Sequence, residues 1–128
     1  MKLRYVFMAN AVISLVLGCT LLVASTLLVT FFGFKPELTQ GGMAIARLFG
    51  AAILGYGLLT LLVRNVSDSE ARRAIVLALF VTHALGFIVA LPAQLSGMVN
   101  PLGWLIVAIY LLLALGYGYF QFAKPGAS

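Results

Sequence analysis

The chain contains one histidine, His83, and it lies ten residues past Arg73 in a run without charges. At about 1.5 Å per helical residue this places its imidazole about 15 Å into an apolar slab, near the middle of a bilayer. An imidazole there can ligate a haem or a chlorophyll-type pigment, hydrogen-bond a quinone, or relay a proton. Its neighbours on a helix are Leu79, Phe80, Gly86 and Phe87, and a glycine beside aromatics suits a flat ring. The bland alternative is a neutral histidine bonded to a neighbouring carbonyl. A bis-histidine haem would need a second chain.

The other polar residues within apolar runs are Arg47, Asn10, Tyr56 and Gln121. Arg47 precedes Arg64 by 17 residues, about 25 Å of helix. It therefore sits at one membrane edge, where it snorkels to headgroups, pairs with Glu37, or holds an anion. Asn10, Tyr56 and Gln121 are expected to bond across helices. The three acids, Glu37, Asp68 and Glu70, all fall in loops or at helix ends. A proton-coupled pump needs a carboxylate within the membrane, so the chain makes a poor antiporter. It has no serine–histidine–acid set, no metal cluster and no phosphate loop, so no enzyme is expected. No cofactor is required, and haem, pigment or quinone enters only through His83. One cysteine, Cys19, excludes an internal disulfide.

The elements that carry these residues are membrane helices. Apolar residues make up 63% of the 128 and charged residues 9%, too few charges to clothe a soluble domain. The net charge of +5 comes from bases scattered between apolar runs, which is an anchoring pattern and not a nucleic-acid face. Thirty uncharged residues separate Arg4 from Lys35, and fifty separate Arg73 from Lys124. Breaks at Gly33–Gly42, Arg64–Arg73 and Pro92–Pro101 divide the chain into four helices, about 5–32, 43–63, 68–92 and 101–122. Ser67-Asp68-Ser69-Glu70 reads as a capping box that starts the third helix near Asp68. Asn100-Pro101 supplies a cap and a first-turn proline for the fourth.

The expected fold is all-α, a four-transmembrane-helix bundle forming a single membrane domain. With both termini inside, Lys2, Arg4, Arg64, Arg72, Arg73 and Lys124 lie on the cytoplasmic side against Lys35 and Arg47 outside. Phe31, Phe32, Phe34 and Trp104 then mark the outer boundary, and Tyr5, Tyr117, Tyr119 and Phe120 the inner one. Met1-Lys2-Leu3-Arg4 also resembles a signal start, with Val16-Leu17-Gly18-Cys19 as a loose lipoprotein box. The chain stays apolar beyond Cys19, which favours a first membrane helix. Leu54-Gly55-Tyr56-Gly57 recurs as Leu115-Gly116-Tyr117-Gly118, a hint of two tandem hairpins.

Helices in lipid associate through small residues. The third helix carries Ala74, Ala78, Thr82, Gly86 and Ala90 at four-residue spacing, a ridge for internal packing or for a second subunit. Ala46 with Gly50, Ala51 with Gly55, Ala114 with Gly118, and Ser14 with Gly18 offer smaller patches.

Ala46-Arg47-Leu48-Phe49-Gly50-Ala51-Ala52-Ile53-Leu54-Gly55, then Leu62-Val63-Arg64-Asn65, and Asn100-Pro101-Leu102-Gly103-Trp104, resemble a pattern found in uncharacterised small bacterial four-helix membrane proteins. The resemblance implies a bacterial cytoplasmic (inner) membrane protein and carries no functional residue. Small multidrug transporters, four-helix fluoride channels and membrane glutathione transferases are not resembled. The expected function is a small non-catalytic accessory subunit. Its expected partners are the lipid bilayer and other membrane subunits or further copies of itself. The alternatives are a pigment-, haem- or quinone-binding subunit centred on His83, and a small transporter or channel.

Overall fold

The structure is a computed structural model and describes residues 2–33, 40–97 and 99–123. Among them it is all helical, with α1 (Leu3–Val23), α2 (Ser25–Phe31), α3 (Gln40–Val63), α4 (Glu70–Leu95) and α5 (Trp104–Gly118). A 3-10 turn, Pro101–Gly103, leads into α5, and a π-helical turn, Tyr119–Ala123, follows it. Four segments are long and apolar enough to cross a membrane: Leu3–Val23, Gly42–Val63, Glu70–Leu95 and Pro101–Ala123. Large apolar side chains such as Val16, Leu48, Leu62, Val89 and Leu112 point outward, an arrangement that lipid tolerates and water does not. The chain is an integral membrane protein by this criterion.

The first helix departs from the continuous 5–32 expected from the sequence. It stops at Ala24, whose backbone (φ −134°, ψ 51°) leaves the helical region, and restarts at Ser25. Alanine is a strong helix former, so local propensity does not explain the break. The 21 residues of α1 already rise about 31 Å, enough to cross the hydrocarbon. Beyond them α2 is anchored elsewhere. The Asn100 backbone N–H donates to the Phe32 carbonyl, and Asn100 Nδ2 donates to the Phe31 carbonyl at 3.0 Å.

Asn100 also starts the last helix as its chemistry suggests. Its Oδ1 accepts from the Leu102 N–H at 3.1 Å, with Pro101 in the first helical position. Buried Gln94 donates to the Asn100 carbonyl, so three segments meet at one asparagine. Asn100→Ala is expected to cost about 1 kcal/mol, the usual size of a lost N-cap. Faster amide exchange confined to Leu102 and to the end of α2 checks it.

Two further boundaries are corrected. The α4 cap is Ser69, not Ser67: Ser69 Oγ accepts from the Arg72 N–H at 3.1 Å, and Glu70 is the first helical residue. Asp68 is instead occupied by Arg72 and Arg73, at 3.4 and 3.5 Å. The helix also runs through Pro92 to Leu95 rather than ending at Pro92. It closes on Gly97 (φ +79°), a left-handed position that glycine adopts without steric cost.

The helices pair as α1 with α3 and α4 with α5, and α1 meets α5 between the pairs. The first pairing is made by glycines. A Cβ on Gly18 would lie 2.6 Å from the Leu54 backbone nitrogen, and one on Gly50 2.7 Å from Leu21 Cβ. Gly57 similarly abuts Leu15. The apolar core gathers Leu3, Val6 and Phe7 of α1, Val76 and Leu79 of α4, and Leu113, Tyr117 and Phe120 at the end of the chain's last span.

Candidate functional site

The polar centre of the molecule joins α1, α4 and α5. Asn10 is wholly buried, and its Nδ2 donates to Tyr117 Oη at 2.8 Å. Ser14, one turn further, donates to Asn10 Oδ1 at 2.8 Å. Tyr117 is also wholly buried, with its ring 5.8 Å from that of Phe7 and 5.6 Å from that of His83. The sequence places Tyr117 and Phe120 in an interfacial aromatic belt, yet both belong to the core. Tyr5, Tyr119, Phe31 and Trp104 do face outward, whereas Phe32 is buried and Phe34 lies outside the described residues.

His83 lies against this centre and is 5% exposed. Its Nδ1 is 2.7 Å from the Leu79 carbonyl of its own helix, and a carbonyl only accepts, so Nδ1 carries the proton. In the neutral imidazole, Nε2 is then left with the lone pair. The space beside Gly86 that a planar cofactor could use is filled within the chain by Tyr110: a Cβ on Gly86 would run into that ring. The Tyr110 and His83 ring centres are 5.9 Å apart.

The other candidates separate. Thr60, unremarked in the sequence, is wholly buried in α3, and its hydroxyl bonds the Tyr56 and Gly57 carbonyls. The Tyr56 side chain is half-buried, unlike its repeat counterpart Tyr117, so the two Leu-Gly-Tyr-Gly segments occupy different environments. Gly118 packs on the Phe80 ring, but Gly55 has nothing within 4 Å and is no packing site within the chain. On the α4 ridge, Thr82, Gly86 and Ala90 are half-buried, with the Tyr110 ring against Gly86, and Ala74 and Ala78 are exposed. Arg47 is exposed on α3, and its suggested partner Glu37 lies outside the described residues.

Sequence reasoning missed Arg72. It counts there as one more membrane-edge base, yet it is 3% exposed. Its guanidinium bonds the Val66 carbonyl and Asp68. The available signal was its position three residues after the Ser69 cap, which turns it back beneath the preceding loop.

Among the described residues no group of three or more histidine, cysteine or acidic side chains is placed to hold a metal, and no buried side-chain nitrogen or oxygen lacks a hydrogen bond. In comparison with known proteins, the chain matches no family model, no curated protein and no solved structure.

Proposed function

We propose that this protein is a non-catalytic subunit of a membrane assembly, built from copies of itself or from other membrane proteins, with the outward face of α4 as its contact. The observation that carries this reading is how the polar groups of the spans are used. Asn10, Ser14, Thr60, Thr82 and His83 all bond to the chain itself. The Asn10–Tyr117 bond ties α1 to α5, and the other four close on their own helices, so these groups are occupied within the chain and leave little for chemistry on a substrate. The exposed Ala74 and Ala78, one turn apart, offer a place where a second helix can approach closely. The four apolar spans fit a four-helix membrane protein, the basic-residue asymmetry supports both termini in the cytoplasm, and the bacterial inner membrane is carried by the resemblance alone. Native mass in mild detergent tests the reading. The expected result is a species heavier than one 13.7 kDa chain, which Ala78→Leu dissociates. A lone chain, the same in both proteins, overturns it.

One observation favours a second reading, in which His83 ligates the metal of a haem or pigment. With Nδ1–H tied to a carbonyl, Nε2 has the tautomer that metal-ligating histidines use. Tyr110 would have to rotate away from Gly86 to admit a ring. An absorption spectrum of protein purified from native membranes decides. A visible band lost in His83→Ala supports this reading, and a colourless protein removes it.

A further inference from the structure

At the membrane face where α1 begins, α3 ends and α4 begins, an open cleft of about 230 Å³ is lined by four cationic side chains, Lys2, Arg4, Arg64 and Arg72, together with Asn65 and Ser67. Lys2 and Arg4 come from the start of α1, and Arg64 and Arg72 from the two sides of the short α3–α4 loop, some sixty residues further along the chain. The nearby carboxylate, Asp68, does not line the cleft and is engaged by Arg72 and Arg73. Glu70 lines a different pocket, with Arg73 and Gln121. Like charges gathered around one concavity repel each other and raise the local potential, which draws in a counter-ion.

We propose that this cleft binds a phosphate group. Arg72 forms its buried floor: its donors go to Val66 and Asp68, and its charge is shielded from water. Arg64 is tethered through one guanidinium nitrogen to the Leu61 carbonyl, which holds its head at the rim, and a guanidinium has five donors. Lys2 and Arg4 are exposed and able to close over a ligand. The backbone adds to the side chains. The 21-residue α1 opens into the same cleft through Leu3 and Arg4, its N-cap Lys2 gives no side-chain cap, and its first turn has no acid. The free N–H groups and positive dipole end of a long helix favour an anion at that point. Asn65 and Ser67 add neutral donors of the kind that fix a phosphate's orientation. A water needs about 10–15 Å³ of such space, so the cleft has room for one phosphate with its first waters.

Two sources present this group at a membrane edge: the headgroup of an anionic phospholipid, and soluble phosphate from the adjoining compartment. The experiment distinguishes them. Apparent affinities are read from native mass spectra of the detergent-solubilised full chain titrated with phosphatidylglycerol or with phosphatidylcholine. In parallel, the thermal midpoint is followed in inorganic phosphate and in chloride at matched ionic strength. The comparison proteins are Arg4→Gln/Arg64→Gln, which leaves the buried Arg72 in place, and Arg47→Gln at the opposite end. Preference for phosphatidylglycerol over phosphatidylcholine identifies the lipid source. A midpoint raised by phosphate over chloride identifies the soluble one. In either case the double variant loses roughly thirtyfold in affinity, about fivefold per charge, and Arg47→Gln loses none. The proposal is overturned if neither anion is preferred, if the double variant keeps full affinity, or if Arg47→Gln loses as much.

Discussion

Gly18→Leu is expected to separate the first helical pair and to cost about 3 kcal/mol, the upper end of what overpacking does. The contact is backbone against backbone. A Cβ at residue 18 meets the Leu54 nitrogen at 2.6 Å and the Gly50 carbonyl oxygen at 2.9 Å, and neither atom can swing aside as a side chain would. The only relief is for α1 and α3 to move apart. That forfeits the close packing which replaces the hydrophobic effect between helices in lipid. Gly55→Ala is the matched control, because nothing lies within 4 Å of its added methyl. Alanine favours the helix over glycine by about 0.5–1 kcal/mol, so Gly55→Ala should be neutral or slightly stabilising. Unfolding free energies from titration with a denaturing detergent give both values. Equal stability of Gly18→Leu and the wild type would refute the glycine contact.

Tyr117→Ala is expected to be the other severe change, at about 4 kcal/mol, while Tyr117→Phe should cost only about 1 kcal/mol. Transfer out of water contributes little here, because the reference environment is lipid. The cavity remains: roughly 100 Å³ lost at about 24 cal/mol per Å³ gives about 2.4 kcal/mol. The ring also meets Phe7 and His83, and aromatic pairs contribute about 0.5–1.5 kcal/mol each. The hydroxyl's bond to Asn10 belongs to a class that averages about 0.6 and reaches about 1.7 kcal/mol in membranes. That difference in magnitude makes the ring the principal element of the contact and the hydroxyl its register. A double-mutant cycle of Asn10→Ala with Tyr117→Phe isolates the hydrogen bond. Coupling near zero would mean that the Asn10–Tyr117 bond does not hold α1 to α5.

These sites show what the sequence reveals and what it conceals. The four apolar crossings are legible because each needs only about 20 uninterrupted apolar residues, a signal spread along the chain. The start of the last helix is legible because capping is local: Asn100 and Pro101 act on the next two residues. Which face of each helix turns inward is not, since nearly every face is apolar. Ala74, Ala78 and Gly86 belong to one four-residue repeat in the sequence, yet Ala74 and Ala78 are exposed while Gly86 is half-buried against the Tyr110 ring. Tyr117 and Tyr119 look alike at the end of a span, yet one is wholly buried and the other 42% exposed. The distinction is made by Asn10, which lies 107 residues from Tyr117. The break at Ala24 is hidden for the same reason, since the residue that anchors the following segment is Asn100.

Four crossings would gather Lys2, Arg4, Arg64 and Arg72 on one side of the membrane and put the Ser96–Gly97 turn on the other. Ser67 and Ser96 are both exposed and lie at opposite ends of α4. The most direct test places a single cysteine at either position, Ser67→Cys or Ser96→Cys, with Cys19→Ser removing the native thiol. Intact cells are then treated with a membrane-impermeant maleimide. With both termini in the cytoplasm, Ser96→Cys is expected to be labelled at once and Ser67→Cys only after permeabilisation. Labelling of both positions from the same side would contradict the four crossings.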